Sequence, residues 1–328
     1  MAGSSLPELS FRQASHTVGD SNGFCALSNS LYARPVDSAY FSWQFFETPF
    51  PSLTTVAVTA DGELCGSYTL HIQSAFPDDA YVAWVVDIMV SPKYQRQGVL
   101  RLLTEYALEQ ARPFDPVALC VMANEKAYRA CVEGLGWQRV NTFSTWLMDT
   151  SASIEANPRL SYHPIDNFES CEVLLEGGAN SPFLGMFANR RSASYLNWRF
   201  VQNPRYAYSR FLVEGKSGIF GYLVLKLFGD PITHTVYGDI VDIYWIDDDT
   251  ESIRDMLQFA QTWFKQAGAS TAAIWLQTNT RLDQVGIELG FKSQPLSRYF
   301  CCRTLSSPYD WLNEPSRWFI TMADSEIY

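Results

Sequence analysis

The stretch Asp87-Ile88-Met89-Val90-Ser91-Pro92-Lys93-Tyr94-Gln95-Arg96-Gln97-Gly98-Val99-Leu100-Arg101 decides how this chain is read. An apolar strand, residues 81–90, runs into a polar turn at Gln95, Arg96, Gln97 and Gly98. A helix follows over residues 100–109, with apolar residues at the helical spacing of Leu102, Leu103, Tyr106 and Ala107. The start of a helix offers unpaired backbone N–H groups and the positive end of its dipole, which together receive phosphate. Gly98 lets the backbone approach a ligand closely. The stretch therefore points to a cofactor that carries a diphosphate.

The residues around it read as alternating strands and helices. Residues 53–58 and 64–72 are two strands joined by the hairpin turn Ala60-Asp61-Gly62-Glu63. Residues 81–90 form a strand apolar enough to be buried on both faces, and residues 117–122 form another. Residues 125–135 make a short helix stopped by Gly136, and residues 143–148 a last strand. The order β-β-β-α-β-α-β makes a mixed sheet flanked by helices.

The same pattern occurs twice. At a constant offset of 155 positions, Tyr40, Trp43, Phe45 and Pro49 fall on Tyr195, Trp198, Phe200 and Pro204. Gly66 meets Gly221, Val86-Asp87-Ile88 meets Val241-Asp242-Ile243, and Asn124 meets Asn279. Trp and Pro are too uncommon for such coincidences, so the chain is two copies of one unit. A polar stretch ending in Asn157-Pro158 separates them, which sets domains at 1–152 and 153–328. The expected fold class is α/β (α+β): two tandem domains, each a mixed central sheet flanked by helices.

Composition narrows the function. The net charge of −11 argues against nonspecific nucleic-acid binding and permits a cationic acceptor. The seven cysteines form no CxxC pair, and the four histidines form no spaced pair, so neither a metal site nor a Ser-His-Asp site is supported. Cysteines in apolar contexts read as reduced thiols. With no visible signal peptide and no apolar run of membrane-spanning length, the expectation is a cytoplasmic protein.

The motifs as they stand resemble the GNAT superfamily of N-acetyltransferases. The family's acyl-CoA signature, [Gln/Arg]-x-x-Gly-x-[Gly/Ala] after a strand, corresponds to Gln95, Arg96, Gln97, Gly98, Val99 and Leu100, the last being larger than the family's small residue. Its second motif, a strand, an Asn, a short helix and Gly-aromatic, corresponds to residues 121–123, Asn124, residues 125–135 and Gly136-Trp137. Tandem members associated with bacterial polysaccharide or envelope biosynthesis are similar to this chain at Tyr195-x-x-Trp198-Arg199-Phe200…Pro204. They are also similar at its ending, Trp318-x-x-Thr321-x-x-Asp324.

The resemblance implies acetyl-CoA as co-substrate and direct attack by an amine in a ternary complex. The acceptor is then a small molecule, with an amino sugar as one candidate. Gln95, Arg96, Gln97, Gly98, Val99, Leu100 and Arg101 would surround the diphosphate. The backbone of Met89 and Val90 would meet the pantetheine arm and polarise the thioester. Asp87 is the candidate general base, against a structural role that its twin Asp242 also suggests. Asn124 either contacts pantetheine or caps the following helix. Tyr128 is the candidate proton donor to the leaving thiolate, with Cys131 as rival; each also suits a packed helix face. Trp43 and Trp198 read as helix packing more readily than as an aromatic platform.

The two halves differ at the turn. Gln95, Arg96 and Gly98 correspond to Thr250, Glu251 and Ile253, preceded by Asp247-Asp248-Asp249. Since Asp87–Asn124 and Asp242–Asn279 have equal spacing, the intervening turn and helix are expected to be similar in length. The carboxylates would repel a pyrophosphate, so one acyl-CoA site is expected, in the first half, with the second half serving stability or a wall of the acceptor cleft. The alternative is a non-catalytic CoA- or ligand-binding protein built on two degenerate GNAT halves. A longer acyl donor or a hydroxyl acceptor would keep the same fold.

Overall fold

The computed structural model describes residues 8–76, 80–151, 159–171, 186–246, 249–277 and 280–325. The chain forms two compact units, one of residues Met1–Arg139 with Cys301–Asn313, the other of Val140–Phe300 with Glu314–Tyr328. Each is a mixed sheet flanked by helices, as the alternation of strand and helix patterns requires.

The first unit runs β1 (Leu9–Gln13), α1 (Val18–Leu31), α2 (Ser38–Phe45), β2 (Ser52–Thr59), β3 (Leu64–Phe76), β4 (Tyr81–Val90), α3 (Val99–Ala111), β5 (Ala118–Ala123) and α4 (Glu125–Arg129). Strands β1 to β4 pair antiparallel in sequence order, and β5 joins β4 in parallel. The parallel pair is what α3 connects, because parallel neighbours need a crossover. Val99, Leu103, Ala107 and Ala111 make the buried stripe of α3, spaced four apart. Leu103 presses on β3 at Gly66, where an added Cβ would lie 3.0 Å from its Cδ1. Thr17 caps α1 and Asp37 caps α2 through their side-chain oxygens. In α1, Asp20 takes a bidentate pair of hydrogen bonds from Arg12 at 2.6 and 2.7 Å. The side-chain hydrogen bond from Arg12 holds the Asp20 pKa down at about 2 against the cost of burial.

The second unit contains most of β6 (Gln138–Asp149), β7 (Ser161–Pro164), the two-residue β8 (Ala188–Asn189), α5 (Ala193–Phe200), β9 (Ser209–Gly215), β10 (Gly218–Gly229), β11 (Val236–Trp245), α6 (Thr250–Gln266), β12 (Thr271–Trp275), α7 (Arg281–Glu288) and most of β13 (Lys292–Thr304). Its sheet order is β6-β12-β11-β10-β9-β7, with β11 and β12 parallel. Ile253, Met256, Leu257, Ala260 and Phe264 turn the apolar face of α6 into the core, all fully buried.

The halves repeat in space as they do in sequence. The rings of Tyr40 and Trp43 on α2 lie 5.8 Å apart at 48°, and those of Tyr195 and Trp198 on α5 lie 5.9 Å apart at 51°. Trp43 and Trp198 are both buried, so they pack helix on sheet and form no exposed platform. The separating stretch 152–158 lies outside the described residues.

Candidate functional site

Strands β4 and β5 diverge. Their parallel pairing runs through Val82–Ala118, Ala83–Leu119 and Trp84–Cys120. Beyond Trp84, β4 continues for six residues against β3 alone. The register with β3 slips between Ser67/Met89 and Thr69/Val86, so Asp87 and Ile88 together face Tyr68 as a β-bulge. Asp87 carries φ +50, a left-handed conformation that Asp tolerates better than most residues.

The edge of β4 that β5 leaves open can be assigned by alternation. The Ser91 N–H donates to Cys65 O on β3 at 2.8 Å. Backbone groups alternate sides along a strand, so those of Ile88 and Val90 turn to the opposite edge, towards the gap. Two side chains bind their carbonyls there: the Tyr32 hydroxyl donates to Ile88 O at 3.0 Å, and Gln95 Nε2 donates to Val90 O at 2.9 Å. Of the pair expected to meet a pantetheine arm, Val90 therefore faces the gap, whereas Met89 faces β3 and is buried.

The turn at the foot of α3 is exposed. Arg96 has φ +61, and Gly98 has φ +82 at the N-cap. Gln97 Nε2 donates to Lys93 O at 2.8 Å, which ties the turn to the short 3₁₀ segment Pro92–Tyr94. An added Cβ on Gly98 would meet nothing within 4 Å, so the space in front of the helix is open. The first bond between helix end and body is Leu102 N–H to Gly98 O, which leaves the preceding N–H groups without an intrahelical acceptor. Leu100 is half-buried, Val99 is buried in the core, and Arg101 points outward beside Glu105 at 3.6 Å.

The remaining predicted residues sit close by in sequence but differ in character. Asp87 is half-buried and accepts a hydrogen bond from the Tyr40 hydroxyl at 3.2 Å. Asn124 caps α4, its side chain accepting from Ala127 N–H at 3.0 Å. Tyr128 is half-buried on α4. Cys131 is fully buried in the π-helical turn Ala130–Gly134, and burial pushes its thiol up to about 12. A thiol so held is a poor proton donor at neutral pH. Among the described residues no group of His, Cys, Asp or Glu is arranged to hold a metal ion.

The second half builds the corresponding position differently. Within the same span of chain the division differs: α6 has 17 residues where α3 has 13. Positions 250–253, aligned with the turn 95–98, are the first turn of α6. Asp249 caps that helix, accepting from the Ser252 hydroxyl at 2.7 Å and the Glu251 N–H at 3.2 Å. Ile253, aligned with Gly98, is fully buried. Asp247, Asp248 and Asn279 lie outside the described residues.

Residues 25–137, which include the bulge, the turn and Asn124, match the model of the acetyltransferase (GNAT) family. The chain carries a GNAT domain in a tandem GNAT fold. A tandem GNAT protein from the clavulanic acid biosynthesis pathway is similar over 90% of this chain and 98% of that one, with TM-score 0.61 and 18% identity. A GCN5-related N-acetyltransferase from Kribbella flavida is similar over 92% of this chain and 72% of its own, with TM-score 0.66 and 13% identity. The glucosamine N-acetyltransferase region of a fungal multi-domain β-N-acetylglucosaminidase is similar over 91% of this chain and 38% of that one, with TM-score 0.65 and 14% identity. No curated protein sequence matches.

The second unit holds a buried cluster that spacing along the chain does not reveal. Asp242, the twin of Asp87, is 1% exposed. It accepts hydrogen bonds from Tyr222 at 2.9 Å, Thr321 at 2.7 Å and Arg191 at 3.2 Å. Arg191 also donates to Asp324 at 2.8 Å, and Asn189 donates to the other oxygen of Asp324 at 2.9 Å. Thr321 and Asp324 form a capping box around the last 3₁₀ turn. The Trp318-x-x-Thr321-x-x-Asp324 ending thus closes a buried ion cluster. Burial raises the Asp242 pKa against the pull of Arg191, while the two carboxylates outweigh burial and hold the guanidinium charged. Arg191 gave no signal in sequence because its counterpart in the first half is Val36.

Proposed function

We propose that the chain is a CoA-dependent acyltransferase that moves an acetyl group from acetyl-CoA to an amine on a small molecule. The observation that carries this reading is the exposed Gln95–Gly98 turn at the foot of α3, beside the gap between β4 and β5. Gly98 has the positive φ and the empty surroundings that close approach of a diphosphate requires, and the residues around it offer backbone N–H donors. Arg96 and Arg101 add positive charge at the turn. The thioester, when bound, supplies an activated acyl group. The Val90 N–H on the open edge of β4 is placed to hydrogen-bond the acyl oxygen and stabilise charge developing there. Asp87 takes a proton from the acceptor's ammonium, directly or through water, and the free amine then attacks the thioester carbon. Tyr128 returns a proton to the leaving sulfur.

The amine acceptor follows from the family, and the amino sugar from likeness to the glucosamine N-acetyltransferase region, a likeness of fold. The net charge of −11 suits an ammonium-bearing acceptor and no nucleic-acid partner. Among the described residues no helix is long and apolar enough to cross a membrane, and six of the seven cysteines are buried as free thiols. We place the protein in the cytoplasm, with domains of 1–152 and 153–328 and acyl-CoA chemistry confined to the first.

Calorimetry with acetyl-CoA tests the reading, followed by CoA release across a panel of amino sugars, amino acids and polyamines. Binding with transfer to an amine is expected. Absence of binding at millimolar acetyl-CoA overturns it. Leu100, half-buried where the family has a small residue, favours a second reading as a CoA-binding protein without turnover. Binding without transfer from acetyl or longer acyl donors supports that one.

A further inference from the structure

We propose that Tyr32 and Tyr40 are positioning residues of the acyl-transfer site, which together lock the Asp87–Ile88 bulge in the conformation that presents Asp87 and the Val90 N–H to the gap. The proposal rests on the reading of Asp87 as the proton acceptor.

Two hydroxyls reach this bulge from different places. Tyr32, at the end of α1, donates to Ile88 O at 3.0 Å, and Tyr40, within α2, donates to Asp87 Oδ2 at 3.2 Å. They lie 56 and 47 residues from their partners in sequence, yet they bind adjacent residues. The site they bind is strained. Asp87 holds φ +50, a left-handed conformation that is costly for a non-glycine residue, so its neighbours must over-determine it. One hydroxyl fixes the carboxylate and the other fixes the following carbonyl, which sets both sides of the kinked peptide.

The second half supplies an internal comparison. The position of Tyr32 is there Phe187, which has no hydroxyl and instead makes backbone hydrogen bonds with residues 317 and 319. Asp242 is not among the positive-φ residues, and its oxygens are taken by Tyr222, Arg191 and Thr321. The left-handed Asp, the Tyr32 hydroxyl and the diphosphate turn thus occur together in one half and are absent together from the other. Tyr40 keeps its twin Tyr195 in the second half, so the Tyr32 hydroxyl and the left-handed Asp are the parts of the clamp that follow the turn.

The variants Tyr32→Phe, Tyr40→Phe, Asp87→Asn and the double variant Tyr40→Phe with Asp87→Asn test this. Each removes a hydroxyl or a charge while keeping the side-chain shape. The first measurement needs no substrate: hydrogen exchange of the segment 86–91 in the full chain. Loss of one anchoring bond should speed its exchange about fivefold in Tyr32→Phe while the rest of the sheet is unchanged. The second is steady-state transfer from acetyl-CoA to the best amine of the panel. Tyr40→Phe should lower kcat about tenfold with KM for acetyl-CoA unchanged, and should add nothing further once Asp87 is Asn. Unchanged exchange in Tyr32→Phe overturns the proposal. So does an equal kcat loss from Tyr40→Phe in the presence and absence of the Asp87 carboxylate. Failure of the acyltransferase reading shows separately, as absence of heat with acetyl-CoA, and the exchange measurement then decides the clamp alone.

Discussion

Substitution of Gly98 separates the charge of the proposed ligand from the strain of the turn. Gly98 has φ +82, caps α3, and faces open space within 4 Å of where a Cβ would stand. Gly98→Asn and Gly98→Asp therefore meet no steric clash within the protein. Asn and Asp both visit the left-handed region, so each loses a similar amount of stability, about 1 kcal/mol. The two differ in one unit of negative charge at a helix N-terminus. That charge stabilises the free protein slightly through the dipole. Placed about 5 Å from a diphosphate at an effective dielectric of about 20–40, it costs roughly 1.5–3 kcal/mol, tenfold to about a hundredfold in Kd. Calorimetric titration of CoA into both variants, with melting curves alongside, should show a Tm for the Asp variant no lower than that of the Asn variant, and Kd values apart by that factor. The gap should shrink in salt as the charges are screened. Thr250→Asp, at the first residue of α6, is the control and should bind CoA as the parent does. Equal affinities for the Asn and Asp variants would refute charge recognition at this turn. Equal loss from Thr250→Asp would refute the single-site reading.

Three further outcomes follow from packing and charge. Asp20 has its pKa held at about 2 by Arg12, below its ordinary 3.8, so its contribution is complete above about pH 4 and is lost as pH falls towards 2. Asp20→Asn should cost about 1–2 kcal/mol in denaturant at pH 7, reduced by the exposure of Arg12, and only a small part of that at pH 2; a cost independent of pH would contradict the ion pair. Arg191→Met leaves two buried carboxylates without their cation and should lower unfolding free energy by about 3–5 kcal/mol, with CoA affinity per folded molecule unchanged. Gly238→Ala forces a Cβ to within 2.2 Å of the Phe264 ring and should destabilise the second unit by about 1–3 kcal/mol in chemical denaturation.

Some of this was legible in sequence and some was not, for physical reasons. The strand Tyr81–Val90, the Gln95–Gly98 turn and the stripe of α3 were readable because each is a local pattern: an apolar run, a polar break with glycine, and a helical period. The extra helical turn of α6 was not, because Asp249, Glu251 and Ile253 look like an acidic loop until Asp249 is recognised as a cap and Ile253 as core. Arg191, Asp242 and Asp324 lie far apart in the chain and meet only in the fold. The two tyrosines were hidden for a similar reason. Tyr40 drew notice as one aromatic of a repeated motif, yet its hydroxyl contact with Asp87 is set by where α2 meets β4.

The twin aspartates show how one inherited position serves two ends. Conservation between halves weighs against a catalytic Asp87 only if both copies sit in the same surroundings, and they do not. Asp242 is fully buried with an arginine, a threonine and a tyrosine on its oxygens, and truncating such a cluster leaves an uncompensated charge. Asp87 is half-buried, left-handed, bonded by the Tyr40 hydroxyl, and placed where β4 loses its parallel neighbour. A carboxylate required only for folding would gain from the first arrangement and lose from the second, since strain and partial exposure both cost stability without return in the fold. The repeat therefore turns from an argument against Asp87 into one for it: the half with the exposed turn is the half that keeps its aspartate accessible and strained.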